Sequence, residues 1–205
     1  MPPKRRSFER PPAQRRYRKI FIIAAEGTVT EPQYFNIFNM FNDPQSIIRV
    51  KCLKGNHNCS PPQVLERMNR YIKEAFLHKS DEAWLVVDKD QWTDEQLKQL
   101  HNSTQTKDNY YLALSNPKFE YWLLLHFEAG RGISTSNDCS DRLRKHLPDY
   151  DKSISRWKIT PEMINKAVER AKQRDNPPCP DWPRKPGTTV YRLVENILNA
   201  PEQVA

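Results

Sequence analysis

The sequence predicts an α/β protein: a parallel sheet of about four strands flanked by helices, with a helical C-terminal appendage. Three observations predict it. Residues 83–87 (AWLVV) are an unbroken apolar run, too short for a membrane helix and too uniformly apolar for a strand with one wet face, so they read as a central strand covered on both sides. Strand-like segments then alternate with amphipathic helical ones in the order β-α-β-α-β-α-β, and connections of that length require parallel strands joined by right-handed crossovers. Finally, the strand segments lead into acids: Glu26 after residues 19–25, Asp88 and Asp90 after residues 83–87, and Glu120 soon after residues 110–115. In an open parallel sheet those residues share one edge, the edge at which ligand sites form.

Taken in order, the chain begins with a Pro-rich basic arm, residues 1–16. Through residue 19, eight basic side chains stand against Glu9 alone, so this end carries nearly all of the net charge of +8. Such a segment has too little apolar surface to fold alone. Its physical use is contact with phosphates by counterion release, with Arg5, Arg6, Arg15, Arg16 and Arg18 as candidate nucleic-acid contacts; a solubilising tail is the plainer alternative.

Residues 17–130 form the predicted core. The strand over 19–25 (KIFIIAA) ends in Glu26-Gly27, and Thr30, Pro32 and Gln33 have the pattern of a helix cap, first turn and capping box. Tyr34, Phe35, Ile37, Phe38 and Phe41 mark the helix's apolar face. Glu31, in its first turn, is a further candidate metal ligand, although the helix dipole favours a carboxylate there in any case. Residues 47–53 alternate as a second strand. Cys52 within it and His57 and Cys59 after it lack the paired CxxC spacing or second cluster of a zinc site. Ser60-Pro61-Pro62-Gln63 opens a helix with Val64, Leu65, Met68, Tyr71 and Ile72 inward, expected to reach about His78. After the central strand, residues 93–96 cap a short helix with Leu97 and Leu100 inward, and residues 110–115 supply the next strand. Residues 119–127 (FEYWLLLHF) are apolar nearly all round and read as a buried helix. Glu120 therefore enters an apolar environment and needs a metal, a base or a hydrogen-bond donor; His126 reads as a satisfied interior histidine.

Residues 131–205 read as a helical extension packed on the core. A helix is expected over 141–147, another after Thr160-Pro161, and a last one over 189–198. Between the last two, residues 176–187 (NPPCPDWPRKPG) form a rigid proline loop. Trp157, Trp182, Arg184 and Lys185 fit either packing or a partner surface, packing being the plainer account.

Composition bounds the function classes. Hydrophobic residues make up 37% of the chain and the mean hydropathy is −0.86, yet the apolar residues fall in periodic segments, as in a soluble globular protein with one sizeable core. No apolar stretch approaches a membrane span, and the N-terminus lacks the apolar core of a secretory signal. The four cysteines have no regular framework, which with those two points leads to the expectation of a cytoplasmic protein with free thiols.

Carboxylates two residues apart on an extended chain point the same way, so Asp88 and Asp90 at a strand end suit a divalent cation, Mg2+ or Mn2+. Asp at a strand end is also common simply because Asp favours turns. Phosphodiester cleavage needs a cation on the non-bridging oxygens, an activated nucleophile and a protonated leaving group. Glu26 is placed to ligate the cation or relay a proton, and Lys118, next to Glu120 in sequence, is a candidate to neutralise the transition state.

EGTVTEPQYF after the first strand, VVDKDQW after the third and SNPKFEYWLLLHF after the fourth resemble the pattern of RloB-like proteins, a prokaryotic family with a Toprim-type fold. The resemblance spans roughly residues 17–198 and includes the closing TTVYRLVENIL. It implies a Toprim-like sheet whose first-strand glutamate and DxD pair use Mg2+ for phosphodiester chemistry; those fall on Glu26, Asp88 and Asp90. It further implies a nuclease acting on DNA or RNA, encoded beside an ABC-type or OLD-like ATPase in restriction or anti-phage loci. The sequence has no Walker A motif, so ATP dependence would come from that partner. Two other classes stay open: a small-molecule phosphatase, whose DxD would normally follow the first strand, and a non-catalytic nucleic-acid-binding or adaptor subunit.

Overall fold

A computed structural model describes residues 19–41, 48–55, 60–75, 77–90, 92–154 and 158–200. The basic arm with Arg5, Arg6, Arg15, Arg16 and Arg18, and also His57, Cys59 and Trp157, lie outside the described residues. Within them the chain runs β1 (Lys19–Ala25), α1 (Thr30–Phe41), β2 (Ile48–Cys52), α2 (Pro61–Glu74), β3 (Glu82–Asp88), α3 (Asp94–Thr104), β4 (Tyr110–Asn116), α4 (Phe119–Leu124), α5 (Ser136–His146), α6 (Pro161–Arg174), β5 (Gly187–Thr188) and α7 (Val190–Leu198). The sheet order is β2-β1-β3-β4-β5. The first four strands are parallel, and β5 pairs antiparallel with β4. This is an α/β architecture consistent with a Toprim-like fold.

Alternation of side chains along each strand divides the core into two layers. On β3, Trp84 and Val86 face a cluster that includes Tyr34 and Phe38 of α1, Trp122 and Leu123 of α4, and apolar residues of α5, α6 and α7. Ala83, Leu85 and Val87 face the opposite cluster, with Val64 and Met68 of α2 and Leu97 and Leu100 of α3. β3 is thus covered on both sides, which is why its sequence has no polar alternation. The helices of the C-terminal half share their apolar cluster with the sheet. Fully burying a large apolar side chain contributes about 1.5–3 kcal/mol, against ~0–1 kcal/mol for an exposed ion pair. Packing on the two sheet faces therefore decides the fold, and pairs such as Arg70 with Glu66 do not.

This layering also places the site. The chain leaves β1 toward β2 through α1 on one face, then crosses to β3 through α2 on the other. The direction of winding reverses between β1 and β3, and the carboxyl ends of those strands bound a crevice at the switch point.

Several local expectations are corrected. α1 begins at Thr30 itself, and Thr30 does not cap it: its hydroxyl donates to the Lys152 carbonyl at 2.6 Å. Gln33 closes no capping box either; its Oε1 accepts from the Ile154 N–H at 2.8 Å. α2 ends at Glu74, so His78 lies beyond the helix whose terminus it was expected to occupy. α4 ends at Leu124, and residues up to Phe127 continue as tighter turns, with the His126 N–H on the Leu123 carbonyl at 3.1 Å. α5 starts at Ser136, five residues before the expected start, because Thr135 and Asp138 cap it reciprocally. The fifth strand was not expected. It begins where the proline loop ends, at Gly187, whose close neighbour Pro183 leaves little room for a side chain. Ser115 and Thr188 join their hydroxyls at 2.9 Å, and the Thr189 N–H reaches the Leu114 carbonyl at 2.8 Å.

Candidate active site

The parallel register delivers the acids. Ala25 pairs with Val86 and Ser115 with Asp88, and the Glu26 N–H donates to the Val86 carbonyl at 2.9 Å. Glu26 therefore leaves β1 directly beside the end of β3. Its carboxylate accepts from the Asp88 N–H and from Trp92 Nε1, each at 3.2 Å. Gly27 then turns the chain into α1. Its N–H donates to Glu31 Oε1 at 2.8 Å, and a Cβ at this position would lie 2.0 Å from Glu31 Oε2. Only glycine lets the Glu31 side chain fold back over the turn. From the third strand end, past a cis Asn116–Pro117 peptide, the first turn of α4 presents Glu120, whose Oε1 accepts from the Tyr150 hydroxyl at 3.1 Å. Glu26, Glu31, Asp88 and Glu120 line one cavity of about 280 Å3, together with Thr28 and Lys152.

The electrostatics follow from this crowding. Burial, reinforced by neighbouring carboxylates, raises the pKa of Asp88 well above the usual range and that of Glu31 to about 7. Glu26 is raised by burial and further by Asp90, opposed by its hydrogen bonds from Asp88 and Trp92. Among the described residues none of the four cavity acids forms an ion pair. An all-oxygen set with this charge is of the kind that holds Mg2+ or Mn2+. Its arrangement is not closed on a single point: among the described residues no three His, Cys, Asp or Glu side chains are grouped as a metal centre. The reason is visible in the contacts, since Glu26 is engaged by Asp88 and Trp92, and Glu31 by the Gly27 N–H. The donors fit a hard cation in kind, and gathering them around one would displace those hydrogen bonds.

The site brings together three of the sequence-derived candidates closely: Glu26, Asp88 and Glu120, with Glu31 as a fourth. Asp90 does not line the cavity. β3 stops at Asp88, and a turn follows in which the Asp90 N–H reaches the Pro117 carbonyl at 2.9 Å; the expectation that both aspartates lie on one extended strand fails there. Asp90 is exposed at the rim, with Ser136 Oγ at 3.4 Å from its Oδ1. Lys118, two residues before Glu120, does not line the cavity: its Nζ donates to Ser140 Oγ at 2.6 Å. His126 is the interior residue expected, with Nε2 3.1 Å from the Tyr34 hydroxyl and Nδ1 on the Trp122 carbonyl, and burial lowers its pKa to about 4. Cys52, Cys139 and Cys179 are free thiols. Sequence reasoning missed Thr30, Tyr150 and Lys152, which meet the site from positions about 120 residues apart. Nothing in their spacing points to it.

Comparison with known proteins gives one match. A family model described as RloB-like protein covers residues 21–197. No curated protein and no solved structure matches.

Proposed function

The chain belongs to the RloB-like protein family, and from that premise we propose that it is a metal-dependent nuclease hydrolysing phosphodiester bonds of DNA or RNA at the carboxylate cavity. The observation that carries this reading is the convergence of Glu26, Glu31, Asp88 and Glu120, delivered by three strand ends to one cavity in which, among the described residues, no acid has an ion-pair partner. Asp88, Glu120 and Glu31 would hold Mg2+ or Mn2+, with Asp90 at the rim. When bound, such a cation supplies positive charge at the non-bridging phosphate oxygens and lowers the pKa of water at the site. Glu26, oriented by the Asp88 and Trp92 N–H groups, has a raised pKa. A raised pKa makes it a stronger proton acceptor than an ordinary glutamate. In the proposed reaction a water oxygen bonds to phosphorus as Glu26 takes its proton, the bond from phosphorus to the ester oxygen breaks, the departing oxygen takes a proton from solvent water, and Glu26 returns its own to solvent. The products are a phosphomonoester end and a hydroxyl end.

In this reading the protein is the effector of an anti-phage or restriction-associated system. Its ATP dependence would come from an ABC-type or OLD-like ATPase; the support is the family resemblance and a sequence without a Walker A motif. Among the described residues no helix is long and apolar enough to cross a membrane. One observation favours a second reading, a non-catalytic nucleic-acid-binding or adaptor subunit: the acids are not grouped around a single point.

Incubating the full chain, alone and with the neighbouring ATPase, with DNA, tRNA and total RNA in Mg2+ or Mn2+ separates the two. The nuclease reading expects cation-dependent cleavage that EDTA stops and that Asp88→Asn reduces by about 100-fold or more, with the circular dichroism spectrum retained and the thermal midpoint not lowered. Polynucleotide binding without cleavage under every condition selects the adaptor. Turnover confined to small phosphate esters selects a phosphatase.

A further inference from the structure

Lys118, two residues before Glu120, is committed to Ser140, and Lys89, between Asp88 and Asp90, forms an ion pair with Asp94. A side-chain cation for a phosphate in the cavity, in addition to a bound metal, therefore has to come from elsewhere in the chain. The segment between α5 and α6 supplies a candidate. Three contacts pin it across the mouth of the cavity: Tyr150 donates to Glu120 at 3.1 Å, the Lys152 carbonyl accepts from Thr30 at 2.6 Å, and the Ile154 N–H reaches Gln33 at 2.8 Å. Two of these anchors, Thr30 and Gln33, belong to the first turn of α1, the helix that also carries Glu31. Among the described residues Lys152 is the one basic residue lining the cavity. Its backbone sits at φ 56°, in the left-handed region that side-chain-bearing residues seldom occupy. It is exposed, and among the described residues its ammonium forms no ion pair.

We propose that Lys152 is a catalytic residue whose ammonium contacts the scissile phosphate and meets the negative charge that builds there. The proposal rests on the nuclease reading above. Lys152 is anchored through its backbone where it lines the cavity of four carboxylates, whose charge attracts its ammonium, and its exposed position leaves it free to meet an incoming phosphodiester. A charge aimed at the transferring phosphoryl group stabilises the transition state more than the ground state, so its loss falls on kcat.

The test uses the full chain under whatever condition gives cleavage, with Lys152→Ala, Lys152→Arg and Lys152→Asn. Asparagine tolerates left-handed backbone, so it keeps the test valid if alanine disturbs the segment. Mn2+ binding by the protein alone is followed by calorimetry. The expected result is a loss in kcat of about 100-fold for Ala and Asn, a KM within about threefold of wild type, partial recovery in Arg, and unchanged Mn2+ affinity. Wild-type cleavage with kcat retained in Ala and Asn overturns the assignment and leaves the nuclease reading standing. So does a rise in KM alone, which would make Lys152 a ground-state contact. A wild type that binds Mn2+ but cleaves no polynucleotide overturns the nuclease reading, and this assignment with it.

Discussion

At the scale of single residues, the site is governed by uncompensated charge. Glu31 is buried and has its pKa raised from 4.5 to about 7. An acid raised on folding binds its proton more tightly in the native state. Its contribution to stability is therefore present at pH 4 and is lost as pH rises from about 4.5 through 7, a change on the order of 3 kcal/mol. Glu31→Gln keeps an acceptor for the Gly27 N–H and removes the charge. The metal-free variant should melt above wild type at pH 8 and close to it at pH 4.5, which thermal melts in EDTA would show. Mg2+ should reverse the order at pH 8 by stabilising wild type more strongly. A variant less stable than wild type at pH 8 in EDTA would mean that the Glu31 carboxylate is not under repulsion. Glu120 illustrates how far residue chemistry carries by itself. An acid opening the run FEYWLLL had to have a partner, and it has one, but that the donor is the Tyr150 hydroxyl could not be read from the run.

At the scale of elements, local grammar succeeded where the partners are three or four residues apart. The capping pairs Ser60 with Gln63 and Thr93 with Gln96 open α2 and α3 as expected, with Ser60 N–H on Gln63 at 2.8 Å and Thr93 N–H on Gln96 at 3.0 Å. The same pattern at Thr30 and Gln33 was diverted, because both side chains are used to hold residues 152–154. β2 shows another element-level device. It is an edge strand, and Asn39 of α1 occupies its outer side, accepting from the Val50 N–H at 2.9 Å and donating to the Val50 carbonyl at 2.8 Å. One side chain thus satisfies the outward ladder groups of Val50, at the middle of the strand, which would otherwise be open to another strand. Asn39→Ala should lower stability by about 1–2 kcal/mol and raise the tendency to self-associate. Denaturant titration and sedimentation at increasing concentration measure the two effects, and a variant as stable and as monodisperse as wild type would remove this role.

At the scale of the whole molecule, charge is divided between a basic arm and a sheet edge crowded with acids. In the proposed function the arm gathers the polynucleotide and the edge acts on it. Removing residues 1–16 should weaken polynucleotide binding and flatten its dependence on salt concentration, with the melting midpoint unchanged; equal affinity and an equal salt slope would make the arm a solubilising tail. The sequence by itself determined the alternation of strands and helices, the burial of β3 on both faces, and the arrival of Glu26, Asp88 and Glu120 at one edge. Those follow from side-chain period and from parallel connection, which are properties of short stretches. Only the tertiary structure decided that Glu31 joins the cavity and Asp90 stays at its rim, that Lys118 turns away, and that Tyr150 and Lys152 come in from the C-terminal half. Asp90 is set apart by a turn that packs on Pro117. Lys152 is placed by a hydrogen bond to a residue 122 positions earlier. Contacts of that span leave no periodic trace in the chain, because they depend on how α1 and the α5 to α6 connection pack over the same sheet face.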